Sequence, residues 1–161
     1  MGKKLTPDAC EPIVEYEWEG SGAKFPSKAL DKYRGTNRLR VIRIVEGDFR
    51  KIPDYAFDGL ESVEELYLSE NQIEKIEHLD PMVNLKRLHL GGNLIETMEG
   101  LDGLINLEDL SLANNPIHHF SAHALKNLKK LKVLTLFGCD IENENEIKKF
   151  KKDHPKIDAF F

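Results

Sequence analysis

Apolar and polar positions alternate in short bursts that recur along the chain. Val63-Glu-Glu-Leu66-Tyr-Leu68-Ser-Glu-Asn71-Gln-Ile73 returns as Leu85-Lys-Arg-Leu88-His-Leu90-Gly-Gly-Asn93-Leu-Ile95 and as Leu107-Glu-Asp-Leu110-Ser-Leu112-Ala-Asn-Asn115-Pro-Ile117. A fourth copy is Leu131-Lys-Val-Leu134-Thr-Leu136-Phe-Gly-Cys139-Asp-Ile141, and a degenerate one, Leu39-Arg-Val-Ile42-Arg-Ile44-Val-Glu-Gly47-Asp-Phe49, precedes them all. Starts at 39, 63, 85, 107 and 131 give periods of 24, 22, 22 and 24 residues. The alternation predicts a strand with one face buried in every copy. A unit this short cannot cover its own apolar side, so the copies must stack.

The second halves repeat as well. Ile52-Pro53-Asp54-Tyr55-Ala56-Phe57 matches Phe120-Ser121-Ala122-His123-Ala124-Leu125, and Phe25-Pro26-Ser27-Lys28-Ala29-Leu30 follows the same template. A divergent first unit therefore precedes Leu39. Its strand is expected over Val14-Glu-Tyr16-Glu-Trp18, with Gly35-Thr36-Asn37 as an insertion. After Ile141 the pattern stops. Asn143-Glu144-Asn145-Glu146 offers helix-capping oxygens, Ile147 and Phe150 lie one turn apart, lysines follow, and Pro155 marks an end. This predicts a terminal helix, with residues 157–161 as a last strand.

The spacing L-x-x-L-x-L-x-x-N/C-x-L resembles that of the leucine-rich-repeat family over roughly Leu39 to Ile141. The 22-residue units are similar to the short intracellular class of protein-phosphatase regulatory subunits and axonemal dynein light chains. The 24-residue units are similar to the class common in receptor ectodomains. The resemblance implies an α/β fold: a right-handed solenoid with a concave parallel β-sheet, a short helical or irregular convex side and a C-terminal cap helix. We expect one domain over residues 1–161, with an N-terminal cap and degenerate repeat at 1–38, five repeats at 39–141 and a C-terminal cap at 142–161. Asn71, Asn93 and Asn115 fall where each strand turns away. There a side-chain amide can bond its own and the adjacent turn, forming a structural ladder. Cys139 takes that place in the last unit and family patterns accept it, whereas Gly47 has no side chain and should end the ladder.

Composition narrows the function. Charged residues make up 32% of the 161 and the net charge is −5. The excess lies in the first half, where 17 acidic residues face 12 basic ones through Asp80, while the remainder is balanced at 11 each. That argues against a nucleic-acid partner, which calls for a basic stripe. Two isolated cysteines, Cys10 and Cys139, do not provide disulfide-capped ends, and no apolar run reaches membrane-spanning length. The expectation is a reducing, cytoplasmic setting. Met1-Gly2-Lys3-Lys4-Leu5-Thr6 fits a loose myristoylation pattern, but Lys3 and Pro7 stand against modification.

Candidate chemistry is sparse. His119 and His123 have metal-ligand spacing only on a continuous helix, Cys139 reads as a buried structural thiol, and the lysines at 126, 129, 130 and 132 read as a solvated face. No phosphate loop, nucleophile elbow or metalloprotease motif occurs. We expect no catalytic residues, no metal and no cofactor.

Function should therefore lie on the concave face. By repeat position its central column is Glu17, Arg43, Tyr67, His89, Ser111, Thr135. The column beside it is Glu15, Val41, Glu65, Arg87, Asp109, Val133, and the column toward the turn is Glu19, Val45, Ser69, Gly91, Ala113, Phe137. Opposite charges in register stabilise neighbouring strands whether or not a partner binds. Arg43, Tyr67, Arg87, His89, Asp109 and Phe137 are the candidate contacts, since tyrosine and arginine dominate interfaces. The expected activity is protein–protein interaction, as a scaffold or regulatory subunit that is monomeric when unbound. It would bind a protein or peptide, not nucleic acid or membrane. A structural subunit of a larger assembly and a secreted adhesin or effector are the alternatives.

Overall fold

The repeat pattern becomes a stack of strands. The structure, a computed structural model, describes residues 14–18 and 25–161. Cys10, Glu19 and the myristoylation pattern lie outside the described residues. Among the described residues seven strands follow in chain order: β1 Val14–Glu17, β2 Leu39–Arg43, β3 Glu65–Tyr67, β4 Arg87–His89, β5 Asp109–Ser111, β6 Val133–Thr135 and β7 Asp158–Phe160. They form one parallel sheet in sequence order. The opposite side consists of turns and short helices. These are α1 (Ser27–Leu30) running into a 3-10 turn, a second 3-10 turn at His123–Leu125, and the terminal α2 (Glu144–Asp153).

Register fixes which side chains face inward. Ile42 pairs with Leu66, Leu66 with Leu88, Leu88 with Leu110 and Leu110 with Leu134, and all five are fully buried. Burying each such side chain contributes about 1.5–3 kcal/mol, so the core is one continuous aliphatic column. Its two ends are closed by aromatic rings. Phe49 meets Trp18 at 5.0 Å and Phe25 at 5.4 Å, both edge-on. At the other end Phe120 meets Phe150 at 5.1 Å and Phe161 at 5.2 Å.

The asparagines form the expected ladder. Asn93 Oδ1 accepts the Ile73 amide at 2.9 Å, while Nδ2 donates to Leu68 O at 3.0 Å and Leu90 O at 2.9 Å. Asn71 and Asn115 do the same one unit away on either side. Cys139 continues the ladder, its thiol donating to Leu112 O at 3.3 Å. Gly47 ends it, and the space is taken: a Cβ there would sit 2.0 Å from the Phe49 ring.

Two features were not apparent from the repeat pattern alone. The residue just before each ladder position has a left-handed backbone: Glu46 (φ 56), Glu70 (φ 54), Gly92 (φ 67), Asn114 (φ 53) and Gly138 (φ 78). Glycine and asparagine adopt that conformation readily, whereas glutamate does so at a cost. A second, exposed ladder runs along the upstream ends of the strands. Asn84 Nδ2 donates to Glu61 O and Asn106 Nδ2 to Val83 O, both at 2.8 Å, and Lys130 Nζ donates to Asn106 Oδ1 at 2.7 Å.

The C-terminal helix differs from expectation at its start. Asn143 makes no side-chain cap. Its amide bridges back to the last repeat instead, accepting from Phe120 N and donating to Phe120 O, each at 2.8 Å. Glu146 adds a bond from Ala122 N at 3.0 Å. The helix is thereby tied to the solenoid rather than merely started.

Asn93→Ala should destabilise the fold by about 1–3 kcal/mol, because amide and carbonyl partners are left buried and unmatched. Glu96→Ala, at an exposed site in the same unit, should shift the denaturation midpoint little; equal midpoints would contradict the ladder. Removing residues 144–161 should uncover Phe120 and the last leucines and give an aggregating chain by light scattering. A monomeric truncation of unchanged stability would show that α2 and β7 do not act as a cap.

Candidate functional site

The columns expected on the sheet face are the ones the register produces. Glu17, Arg43, Tyr67, His89, Ser111 and Thr135 stand side by side, and so do Glu15, Val41, Glu65, Arg87, Asp109 and Val133. β7 extends both columns, setting Phe160 beside Thr135 and Asp158 beside Val133.

Five of the six candidate contacts join one network. The Arg43 guanidinium lies 4.0 Å above the Tyr67 ring centre, a cation–π contact. Tyr67 Oη donates to Glu65 Oε2 at 2.7 Å, and Arg87 holds the other oxygen of the same carboxylate. On its other side Tyr67 meets the His89 ring edge-on at 4.9 Å. His89 Nε2 is enclosed 3.4 Å from Asp109 Oδ2, off the line of a hydrogen bond, and makes none among the described residues. Asp109 stands beside Arg87 in register, as expected; of its two acidic neighbours Arg87 pairs with Glu65, while Asp109 lies nearest the histidine. Glu65, assigned only a strand-pairing role from the sequence, is the hub. Its place between an in-register tyrosine and arginine was the available clue.

Partial burial, followed by the hydrogen bond and charge of Glu65, pushes the Tyr67 phenol above its ordinary value of 10.0, with Arg43 opposing. Tyr67 is thus held as a neutral donor. Burial likewise pushes the Cys139 thiol up, which suits a structural rather than a nucleophilic sulfur.

The neighbouring column is charged in alternation. Glu64 takes Arg40 at 3.3 Å and Lys86 at 2.6 Å, and Lys132 takes Glu108 at 2.6 Å, which lowers the Glu108 carboxyl pKa. The three central strands β3, β4 and β5 therefore begin with a doublet of one sign: Glu64-Glu65, Lys86-Arg87, Glu108-Asp109.

Phe137, the sixth candidate, stands apart. It is 66% exposed, and Phe160 is 56% exposed. Phe137 lies in the turn just beyond β6, but its carbonyl accepts from Asn114 N at 2.8 Å, as Thr135 O accepts from Leu112 N, so the strand alternation carries on and Phe137 shares the face of Thr135, whose neighbour is Phe160. Phe161 turns the other way, onto Phe120, with Lys151 over its ring. The last strand thus continues the sheet and does not cover its face. Between the two groups the face carries Ser111, Thr135 and Val133, with the small residues Ser69, Gly91 and Ala113 in the column toward the turn. Nothing among the described residues groups three metal-ligating side chains, and no described helix is long and apolar enough to cross a membrane.

A parallel sheet on one side, turns on the other and a ladder of buried amides at the corners of the inner units define a solenoid repeat protein. The chain belongs to the leucine rich repeat family, whose pattern matches residues 37–95 and 98–141. No curated protein matches the sequence. Among solved structures, a leucine-rich-repeat protein of Leptospira interrogans is 24% identical with a TM-score of 0.71, covering 86% of this chain and 34% of that one. An internalin of Listeria monocytogenes is 23% identical with a TM-score of 0.58, covering 67% and 31%. TLR13, in its complex with ssRNA13, is 25% identical with a TM-score of 0.56, covering 62% and 15%. The chain spans about a third or less of the length of these relatives. The fold they share is suited to protein–protein interaction.

The Tyr67–Glu65 bond generates a pH test. A raised phenol pKa means its stabilisation is complete below 10.0 and is lost as pH rises through the folded value. In a phenolate absorbance titration, Tyr67→Phe should remove a late step, and Glu65→Gln should bring that step earlier. A step unmoved by Glu65→Gln would mean that the carboxylate does not hold the phenol.

Proposed function

We infer that this chain is a non-enzymatic protein-interaction module that receives its partner on the sheet face. The observation carrying this reading is the exposed pair Phe137 and Phe160, on the same face as a preorganised Arg43–Tyr67–His89 ladder. Isolated apolar side chains are ordinary on surfaces, but two exposed phenylalanines, Phe160 on β7 and Phe137 in the turn after β6, beside a floor of small residues, form an anchor site of interface type. Tyr67 is already locked on both sides, so little side-chain entropy would be lost on binding.

A protein suits the face better than a nucleic acid. Glu15, Glu17, Glu65, Asp109 and Asp158 outnumber Arg43 and Arg87 there, and phosphate contacts need the opposite balance. The RNA of the TLR13 complex belongs to that protein. A reducing, cytoplasmic setting fits the free thiol of Cys139 in the ladder. A permanent place in a larger assembly is the second reading. It is favoured by Val83 (44% exposed) and Ile105 (55%), which occupy one position in adjacent repeats and form an apolar edge away from the sheet.

Affinity capture with purified variants separates the two. Tyr67→Ala, Arg87→Ala and Phe137→Ala should each weaken capture of the same partner by roughly 5- to 30-fold, or about 1–2 kcal/mol, with circular dichroism unchanged. His119→Ala should have no effect. Loss of capture in a Val83→Ser, Ile105→Ser chain, with the three sheet-face variants unaffected, would place the interface on the edge instead.

A further inference from the structure

The last repeat is covered by α2 and β7 in place of another repeat, and this cap leaves a corner open. A cavity of about 690 Å³ lies between residues 125–132 and the turn from α2 to β7. Its floor is Leu125, Leu128, Leu131, Phe150 and Ile157. In inner repeats the next unit seals the equivalent leucines, and Leu85 and Leu107 are fully buried, whereas Leu131 keeps 7% of its surface. The volume lies within the roughly 300–1,000 Å³ typical of ligand sites.

The rim has the opposite character to the chain as a whole. Lys126, Lys129, Lys130, Lys132 and Lys156 surround the opening, against Glu108 and Asp153. Three of these lysines already have partners: Lys126 is 3.8 Å from Asp102, Lys130 bonds Asn106 and Lys132 bonds Glu108. Lys129 and Lys156 make no side-chain ion pair or hydrogen bond among the described residues. A chain of net charge −5 thus has an apolar hole ringed by cations, two of them uncommitted.

We propose that this corner is a second docking site, distinct from the sheet face, for an acidic protein segment bearing a bulky apolar side chain. The apolar side chain fills the place a further repeat would have filled, and flanking carboxylates reach Lys129 and Lys156. A bare anion would leave the leucines wet, and a neutral apolar peptide would leave the lysines unused. A nucleic-acid backbone would meet Glu108 and Asp153 and would have no use for the apolar floor.

The test uses the full chain, isotopically labelled for amide NMR, and the synthetic peptide Glu-Glu-Leu-Phe-Glu-Glu with blocked ends. Saturable shifts are expected at 125–132 and 153–157, weakening as salt rises. The exposed double charge reversal Lys129→Glu, Lys156→Glu should lower affinity by about tenfold with the spectrum otherwise folded. Tyr67→Ala should leave peptide binding intact, which keeps this site independent of the sheet-face reading. Any of four results overturns the proposal: shifts confined to the sheet face, equal binding of peptides with Gln for Glu or Ala for Leu and Phe, tighter binding of oligothymidylate, or unchanged affinity in the charge-reversed chain.

Discussion

Each turn of this molecule must obtain hydrogen-bond partners from its neighbour, and the rest of the structure follows from that need. A three-residue strand leaves its corner amides and carbonyls facing the apolar interior, where unmatched polar groups are costly. Asn71, Asn93 and Asn115 meet the need from the side-chain position nearest the corner, bonding both the unit behind and their own. Because the amide spans two units, its unit length and the rise between strands cannot vary independently. The 22- and 24-residue units differ only where the chain is far from this corner, on the side of turns and short helices. The ends are closed in another way: rings such as Trp18 at the first and Phe161 at the last take the place of a neighbouring repeat.

The sheet face inherits its order from this regular backbone. Strands held in strict register bring one residue of each repeat to a fixed spacing of about 4.8 Å, and Arg43, Tyr67 and His89 stack because their positions are equivalent. The network they form is largely satisfied within itself. Glu65 receives two donors, and the charges of Arg43, Arg87, Glu65 and Asp109 cancel. Such a surface is stiff and presents a phenol, an imidazole and a guanidinium in fixed orientation. The apolar end lies three (Phe137) to four (Phe160) strand spacings from Tyr67, so a partner touching both must extend across the sheet.

Much of the fold was legible because the repeat restates the same constraint five times. The strands, the ladder, the facing columns and the terminal helix with its last strand all follow from positions that agree between copies. What escaped notice belongs to interactions that do not repeat. Glu65 as a hub depends on the particular pair Tyr67 and Arg87, which no other unit has. The bridge from Asn143 to Phe120 was hidden behind a residue type that ordinarily caps helices. Phe160 is placed on the sheet face by the register of β7, outside the repeat pattern. The basic rim at the C-terminal end was read as a solvated face, since sequence spacing shows Leu125, Leu128 and Leu131 as core but not that their cover is incomplete.

The charge doublets at the starts of the strands have a consequence for how such a chain can change in length. Glu64-Glu65, Lys86-Arg87 and Glu108-Asp109 alternate in sign, so each unit is matched to neighbours of opposite charge. Excising the single unit 85–106 would preserve the leucine spacing and the amide ladder, yet would set Glu64-Glu65 directly against Glu108-Asp109. Like charges directly opposite one another are destabilising in a sheet. Losing two units together would return Glu64 to a lysine, Lys132. The solenoid is therefore modular in its core by one repeat and in its surface by two, and growth or shrinkage in pairs is the inheritance its electrostatics permits.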